Sequence, residues 1–207
     1  MKSASIAYLA AVAGLAALFV ARGASALGPV DVEIAAKLGG GTNPLGGGQN
    51  VFGVGGPNAL DFGGGLRAGA SLSGFYGGLS LVYYGGASQD VLTAQNGLYP
   101  YSAHEEVTSL LYGIEVGYNL HVPWVTIRPQ LGVGSLVLRE SGFVEQNGLP
   151  STTSSRSTSN LYLEPGVTGL RSFGPLLVGA DANVLVLPGT TGSQPAFTAH
   201  IQVGVRL

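Results

Sequence analysis

The residues best able to do chemistry in this chain are a widely spaced set of charged side chains. Only 10% of the 207 residues are Asp, Glu, Lys or Arg. The set occupies polar positions of segments in which polar and apolar residues alternate, and its members are Glu33, Lys37, Arg67, Glu115, Arg128, Glu164, Asp181, His200 and Arg206. Charges that share a water-poor interior must pair, because an isolated buried charge is costly. The set therefore predicts structural ion pairs, with a gate or an ion path as the functional alternative.

Strand geometry predicts particular partners within this set. Glu115 and Arg128 would be diagonal neighbours on strands that a short turn joins. Arg67 and Glu164 would meet across the interior, and Glu33 would meet Arg128 in the same way nearer the other end.

Carboxylates come close together in two places, and only the second of these groups has acid–base potential. Glu164 and Asp181 are expected on neighbouring strands at one height, so their repulsion predicts a nearby cation or a protonated carboxyl. A second group lies in one short stretch, where a solvated polar loop is the favoured interpretation because nothing fixes its geometry. Its members are Ser102, His104, Glu105 and Glu106.

The elements that position these side chains are indicated by a period of two residues. Alternation recurs in eight segments, and no apolar face among them contains a charge. The segments are 30–38, 66–73, 79–83, 112–120, 125–134, 161–168, 176–186 and 197–207. Pro129 and Pro165 interrupt this pattern and predict bulges or altered strand boundaries, because proline cannot donate a ladder hydrogen bond.

The connections between the segments alternate between long and short. Residues 42–62, 86–106, 140–160 and 188–196 are long and polar, while the intervening links are short. The Gly-rich part of the first long connection lacks both a G-K-[ST] and a complete G-x-G-x-x-G motif, so it predicts a loop without a phosphate site. This rhythm predicts an all-β protein, an eight-stranded antiparallel up-and-down β-barrel with long outer loops and short periplasmic turns.

The polar face distinguishes a transmembrane barrel from a soluble one. A soluble exterior is about a quarter to a third charged, whereas this face is mostly Gly, Ser, Thr and Asn. Small residues suit the narrow lumen of an eight-stranded barrel. Aromatic residues near the short turns predict a membrane-interface girdle, formed by Phe75, Tyr76, Tyr118, Trp124 and Phe173. A transmembrane barrel with its apolar face toward lipid is therefore favoured over a soluble, ligand-binding one.

The first residues predict export. Lys2, an apolar run over residues 4–20 and the Ala24-Ser25-Ala26 site predict a signal peptide over residues 1–26, followed by a barrel domain over residues 27–207. Lys2 and Arg22 are two of nine basic residues, so the remaining chain has seven basic residues against 11 acidic ones, a net charge of −4. This charge argues against nucleic-acid binding, and the absence of cysteine excludes a disulfide scaffold.

The chain resembles the small outer membrane β-barrel proteins of Gram-negative bacteria. The resemblance rests on "VTIRPQLGVGS", "LYLEPGVTGLRSFG", the loop rhythm and the final stretch "FTAHIQVGVRL". It implies that the last strand is recognised by the outer membrane assembly machinery through Phe197, Ile201, Val203, Val205 and Leu207, where the family often has a terminal Phe. Family members that deacylate lipid A use a late His-x-Ser pair, and here His200-Ile201-Gln202 lacks the serine.

These features together predict a monomer in the outer membrane, in contact with its lipid, with no cofactor and no metal. The favoured function is non-enzymatic, a structural or surface-interaction role through the extracellular loops with an unidentified ligand. The alternatives are a narrow porin-like channel and a lipid-modifying outer membrane enzyme.

Overall fold

The described chain is built from β-strands. The computed structural model describes residues 30–44, 57–93, 101–146 and 149–207, so the predicted signal peptide and the middle of the first loop lie outside the described residues. No helix in these ranges is long and apolar enough to span a membrane. The strands are β1 (Val30–Gly41), β2 (Phe62–Leu72), β3 (Phe75–Tyr84), β4 (Ser88–Thr93), β5 (Tyr101–Tyr118), β6 (Leu120–Val122), β7 (Val125–Gln146), β8 (Leu149–Phe173), β9 (Leu176–Leu185) and β10 (Ala196–Arg206).

The strands form a closed antiparallel barrel. Each long strand pairs with its neighbours in the sequence, and β10 returns to pair with β1. The short strand β4 continues β3 alongside β5, and β6 continues β5 alongside β7. Counting each continued strand once gives eight barrel strands, so the predicted fold class is confirmed. A two-residue turn at Ser73 and Gly74 joins β2 to β3, with φ angles of 51° and 89°, as the twist of a tight hairpin requires.

The two faces of the barrel wall follow the predicted alternation. The charged set points into the lumen, whereas the apolar positions lie on the outside. Strands of ten or eleven residues, such as β2, β3, β9 and β10, are long enough to cross the hydrocarbon core of a bilayer at the usual tilt. An outer face of exposed apolar residues on such strands is the arrangement of a transmembrane barrel.

Large aromatic side chains project from the outer face near the short turns. Trp124 and Phe75 are 77% and 70% exposed, and Tyr118 and Phe173 are also exposed. The prediction for Tyr76 is wrong, because this residue is only 3% exposed. It lies on the lumen face of β3, one position out of phase with Phe75, as the period of two dictates. At the other rim, Tyr84 and Tyr162 also point inward, whereas Tyr83 and Phe197 point outward.

The two strand prolines lie where pairing with one neighbour is interrupted. Pro129 pairs with Val167 of β8 on one side. On its other side β7 pairs with β5 up to Gly117 and with β6 from Leu120 onward, and Pro129 lies in the gap between these two ladders. Pro165 pairs with β7 and lies in a gap of the β8–β9 ladder, two residues from the bridge between Leu163 and Val186. No bulge is found at either proline among the described pairs. Each ring sits at a position where a backbone N–H is not needed.

Parts of two predicted loops are strands. Residues 86–106 contain β4 and the start of β5, and residues 140–160 contain the end of β7 and the start of β8. We call these extensions the projecting sheet, defined as β4 with residues 101–109 of β5, 138–146 of β7 and 149–158 of β8. The other strands end lower, so residues 138–146 extend the wall beyond them by about 25 Å along the strand.

An apolar cluster lies inside the barrel at the base of the projecting sheet. Leu60, from the segment before β2, is fully buried there, with Val107 and Leu138 at the base of the sheet. Gly41 N–H donates to Leu60 O, and Ser109 Oγ donates to Ala59 O. The whole cluster therefore places apolar side chains in the lumen at that end, and we call it the apolar plug. Its members are Ala59, Leu60, Val82, Tyr84, Val107, Leu111, Leu136, Leu138, Tyr162, Leu185, Leu187 and Ala196.

Candidate functional site: the charged lumen

Glu33 on β1 is the centre of one ion-pair cluster in the lumen. Its carboxylate accepts hydrogen bonds from Arg128 Nη2 at 2.8 Å and from Arg67 Nη2 at 3.1 Å. Arg206 Nη2 lies 3.5 Å from the same carboxylate. The predicted approach of Glu33 and Arg128 across the lumen is therefore present. Because the two guanidinium groups are buried, this carboxylate neutralises charge that water does not reach.

Tyr76 separates and orients the two arginines. The Arg128 and Arg67 guanidinium carbons lie 3.7 Å and 4.6 Å from the centre of its ring. Arg67 Nε donates to the Tyr76 hydroxyl at 2.8 Å. The ring face attracts both cations, so an aromatic residue that the sequence placed at the membrane interface is part of the charged cluster.

The sequence predicted two other pairs that the structure does not contain. Arg67 Nε lies 3.1 Å from Glu115 Oε2, so Glu115 is an ion-pair partner of Arg67 rather than of Arg128. Glu164 accepts a hydrogen bond from Thr198 Oγ1 at 2.9 Å and makes no ion pair with Arg67 among the described contacts. Both errors concern height along the strands. All four residues face the lumen as predicted, but the register and stagger of the strands decide which of them meet.

Asp181 on β9 is the centre of a second cluster. Lys37 Nζ lies 3.1 Å from Asp181 Oδ2, and His200 Nδ1 lies 2.7 Å from Asp181 Oδ1. Gln202 also donates to this carboxylate, and Asn183 Nδ2 donates at 2.8 Å. The prediction that Glu164 and Asp181 lie at one height is wrong, because Thr168 is the residue of β8 opposite Asp181. A cation does lie beside Asp181, since Lys37 contacts it and is also 3.8 Å from Glu115.

His200 is held from both ring nitrogens. Nδ1 contacts Asp181, and Nε2 lies 2.8 Å from the Tyr84 hydroxyl. An Asp–His arrangement of this kind orients a general base in several enzymes. Here the third member is a tyrosine buried in the apolar plug, and no serine or cysteine contacts the ring among the described hydrogen bonds. These contacts hold the ring between β9 and β3.

The lumen is filled by these side chains. Arg128 is 0% exposed, and Arg67, Lys37, Glu115 and Asp181 are likewise buried. A charged cluster packed this tightly, with an apolar plug above it, can fix strand positions across the barrel.

The acid–base cluster predicted at residues 102–106 is divided by the strand that contains it. β5 turns His104 and Glu106 to one face and Glu105 to the other. His104 Nδ1 lies 2.6 Å from Asp90 Oδ1 on the outer face, and the Ser102 side chain lies outside the described residues. These groups therefore do not form one site.

Several lumen residues were missed by sequence reasoning that looked for charge. They are uncharged polar or aromatic residues on the same face as the charged set, namely Ser71, Tyr76, Tyr84, Asn119, Thr168, Asn183, Thr198 and Gln202. Asn119, for example, accepts from Arg128 Nε at 2.6 Å and donates to Ser71 at 2.9 Å. Their position in the period-two pattern was the available signal.

Solved structures of bacterial outer membrane proteins are similar to this chain at low sequence identity. No family model matches it, and no curated protein matches it. Among solved structures, the N-terminal β-barrel domain of Pseudomonas aeruginosa OprF is similar, with a TM-score of 0.41 and 16% identity over 86% of this chain and 97% of that one. A major outer membrane protein from Thermus thermophilus has a TM-score of 0.49 and 16% identity, over 86% and 99% of the two chains. Neisserial surface protein A has a TM-score of 0.39 and 13% identity, over 86% and 96%. The assignment of the fold rests on the strand pairing described above.

Proposed function

We propose that this chain is an outer membrane β-barrel with a non-enzymatic structural or surface-interaction role, carried by the projecting sheet on the extracellular side. The proposal rests on two features taken together. The lumen is filled by paired charges, and the polar projecting sheet extends beyond the apolar outer face of the barrel. Loops and extensions held by a rigid scaffold are where binding function concentrates. The partners in this proposal are outer membrane lipid around a monomeric barrel, the outer membrane assembly machinery that reads β10, and a surface ligand of unidentified nature.

The lumen argues against the channel alternative. A conducting pore needs a continuous polar path, whereas Leu60 and its apolar neighbours lie across the described lumen above the charged clusters. Below that plug, Arg67 and Arg128 are held by carboxylates and by Tyr76. Opening a path would require breaking buried ion pairs, each of which is costly to break.

The enzyme alternative would need a nucleophile beside a histidine. No serine or cysteine contacts the one histidine found in the described lumen. His200 contacts Asp181 and Tyr84, and its neighbours on the same strand face are Thr198 and Gln202. Asp181, the carboxylate beside this histidine, is itself held in an ion pair by Lys37.

A shortened hairpin tests the proposed surface role. Ser141 and Ser155 face each other across β7 and β8, so replacing residues 142–154 by a tight turn shortens the projecting sheet and leaves the barrel wall intact. We expect the variant to remain folded, as shown by a shift in gel migration on heating, while cell attachment to a protein-coated surface and autoaggregation fall. Unchanged attachment and autoaggregation with a folded variant would contradict the surface role.

A further inference from the structure

Glu105 is a buried carboxylate without a partner within the described chain. It is 3% exposed, and neither carboxylate oxygen has a hydrogen-bond partner there. No ion pair joins it to a described residue. A buried charge in this state is unfavourable unless something neutralises it.

The neighbours of Glu105 supply further oxygen atoms on the same face of the projecting sheet. Directly opposite residues in an antiparallel pair share a face, and Glu105 is opposite Gln89 on β4 and Gly142 on β7. Glu140 is two residues from Gly142 on β7, in the diagonal position. The diagonal separation of about 7 Å lets two glutamate side chains converge on one ion.

The charge balance at this position is negative. Arg156 is opposite Glu140 on β8 and is the basic residue at this level of the sheet face. Burial raises the pKa of the Glu140 carboxyl, Arg156 lowers it, and Glu105 raises it further. The two carboxylates therefore sense each other, and one arginine does not neutralise both.

We propose that Glu105, together with Glu140 and the amide oxygen of Gln89, binds a divalent cation of the calcium type on the inner face of the projecting sheet. Carboxylate and amide oxygens are the ligands that Ca²⁺ prefers, and water completes its flexible coordination shell of six to eight oxygens. No group of three or more His, Cys, Asp or Glu residues within the described ranges is placed to hold a metal, so two carboxylates predict weak binding, with a Kd of about 0.1–1 mM.

The cation would join β4, β5 and β7, which contribute Gln89, Glu105 and Glu140. The inference deepens the proposed function, because the site lies on the surface element that the proposal invokes. Calcium binding is measured on purified protein, however. The result therefore does not depend on whether the projecting sheet contacts a surface ligand.

The test is calcium binding by refolded protein in a zwitterionic detergent, where no anionic headgroup competes. Isothermal titration with CaCl₂ should show one saturable site in the wild type. Adding Ca²⁺ at about ten times its Kd should raise the ratio of folded to unfolded protein roughly tenfold in urea titrations. Glu105→Gln should weaken binding at least tenfold, and Glu140→Gln should weaken it to a smaller degree.

Glu106→Gln is the matched control, since it removes the same charge one residue away on the opposite sheet face. It should bind Ca²⁺ as the wild type does. Glu105→Gln keeps the shape of the side chain, and a wild-type heat-modifiable band verifies that it folds. The proposal is overturned if the wild type shows no saturable binding up to about 10 mM Ca²⁺, well above the expected Kd, or if Glu105→Gln and Glu106→Gln bind equally well. Saturation by MgCl₂ at the same site with a similar Kd would also overturn the assignment to a calcium-type ion.

Discussion

Removal of the Glu33 charge should destabilise the barrel more than removal of any single arginine beside it. The Glu33 carboxylate accepts a hydrogen bond from Arg128 Nη2 at 2.8 Å and another from Arg67 Nη2 at 3.1 Å. In Glu33→Gln, Arg67 keeps Glu115 as an ion-pair partner, at 3.1 Å. Arg128 keeps only the Asn119 amide among its described hydrogen bonds. Leaving a buried cation without its carboxylate costs about 3–5 kcal/mol, so we expect the free energy of unfolding of Glu33→Gln to fall by that amount.

A double-mutant cycle measures how much of this cost is the pair itself. Arg128→Met removes the cation that Glu33→Gln leaves unpaired, so the double variant should recover about 2 kcal/mol of the summed losses. The free energy of unfolding is read from urea titrations in lipid vesicles, using the folded and unfolded gel bands. A loss below about 1 kcal/mol for Glu33→Gln, or additive losses in the cycle, would refute the account of the lumen.

The matched control is a pair that faces the same lumen without contact. Arg67 and Glu164 share no hydrogen-bond partner among the described contacts. The cycle of Arg67→Met and Glu164→Gln should therefore be additive within about 0.5 kcal/mol. Strong coupling here would mean that the strand stagger differs from the one described.

Three further predictions follow from the outer face, the plug and the closing strand. Leu79→Arg places a charge on the exposed apolar face midway along β3 and should cost about 2–4 kcal/mol in vesicles; a cost near zero would contradict contact with lipid. Refolded protein in planar bilayers should show no steady open level because the apolar plug lies across the lumen, and a stable conductance would favour the channel. Deleting residues 204–207 removes the β10 partners of Glu33, Ile34 and Ala35 on β1, so the variant should be degraded in the periplasm. Normal amounts of the variant in the membrane fraction would show that this part of the β1–β10 pairing is not needed.

The side of the wall on which each residue lies could be predicted from the sequence, whereas its height could not. Period-two alternation places Arg67 and Glu164 in the lumen because a strand turns successive side chains to opposite faces. Which lumen residues meet depends on the shear of the barrel, a property of all the strand registers together. For this reason Glu115 pairs with Arg67, although the sequence predicted Arg128.

The projecting sheet was missed because its alternation has little hydrophobic contrast. In residues 150–160 nearly every side chain is Ser, Thr, Asn or Arg, since both faces of an extension outside the membrane can be polar. Alternation is visible only where one face is apolar. Glu105 was likewise taken for a loop residue, and only the strand separates it from His104 and Glu106.

Single-cysteine labelling of intact cells tests the central claim most directly, because the chain contains no cysteine of its own. Ser141→Cys places a thiol at an exposed position of the projecting sheet, and Ser172→Cys places one beside a short turn at the other end of the barrel. A membrane-impermeant maleimide should label the first variant in intact cells. It should label the second only after the outer membrane is permeabilised. Equal labelling of both variants in intact cells, or recovery of either as a soluble periplasmic protein, would contradict a barrel that spans the outer membrane with its projecting sheet outside.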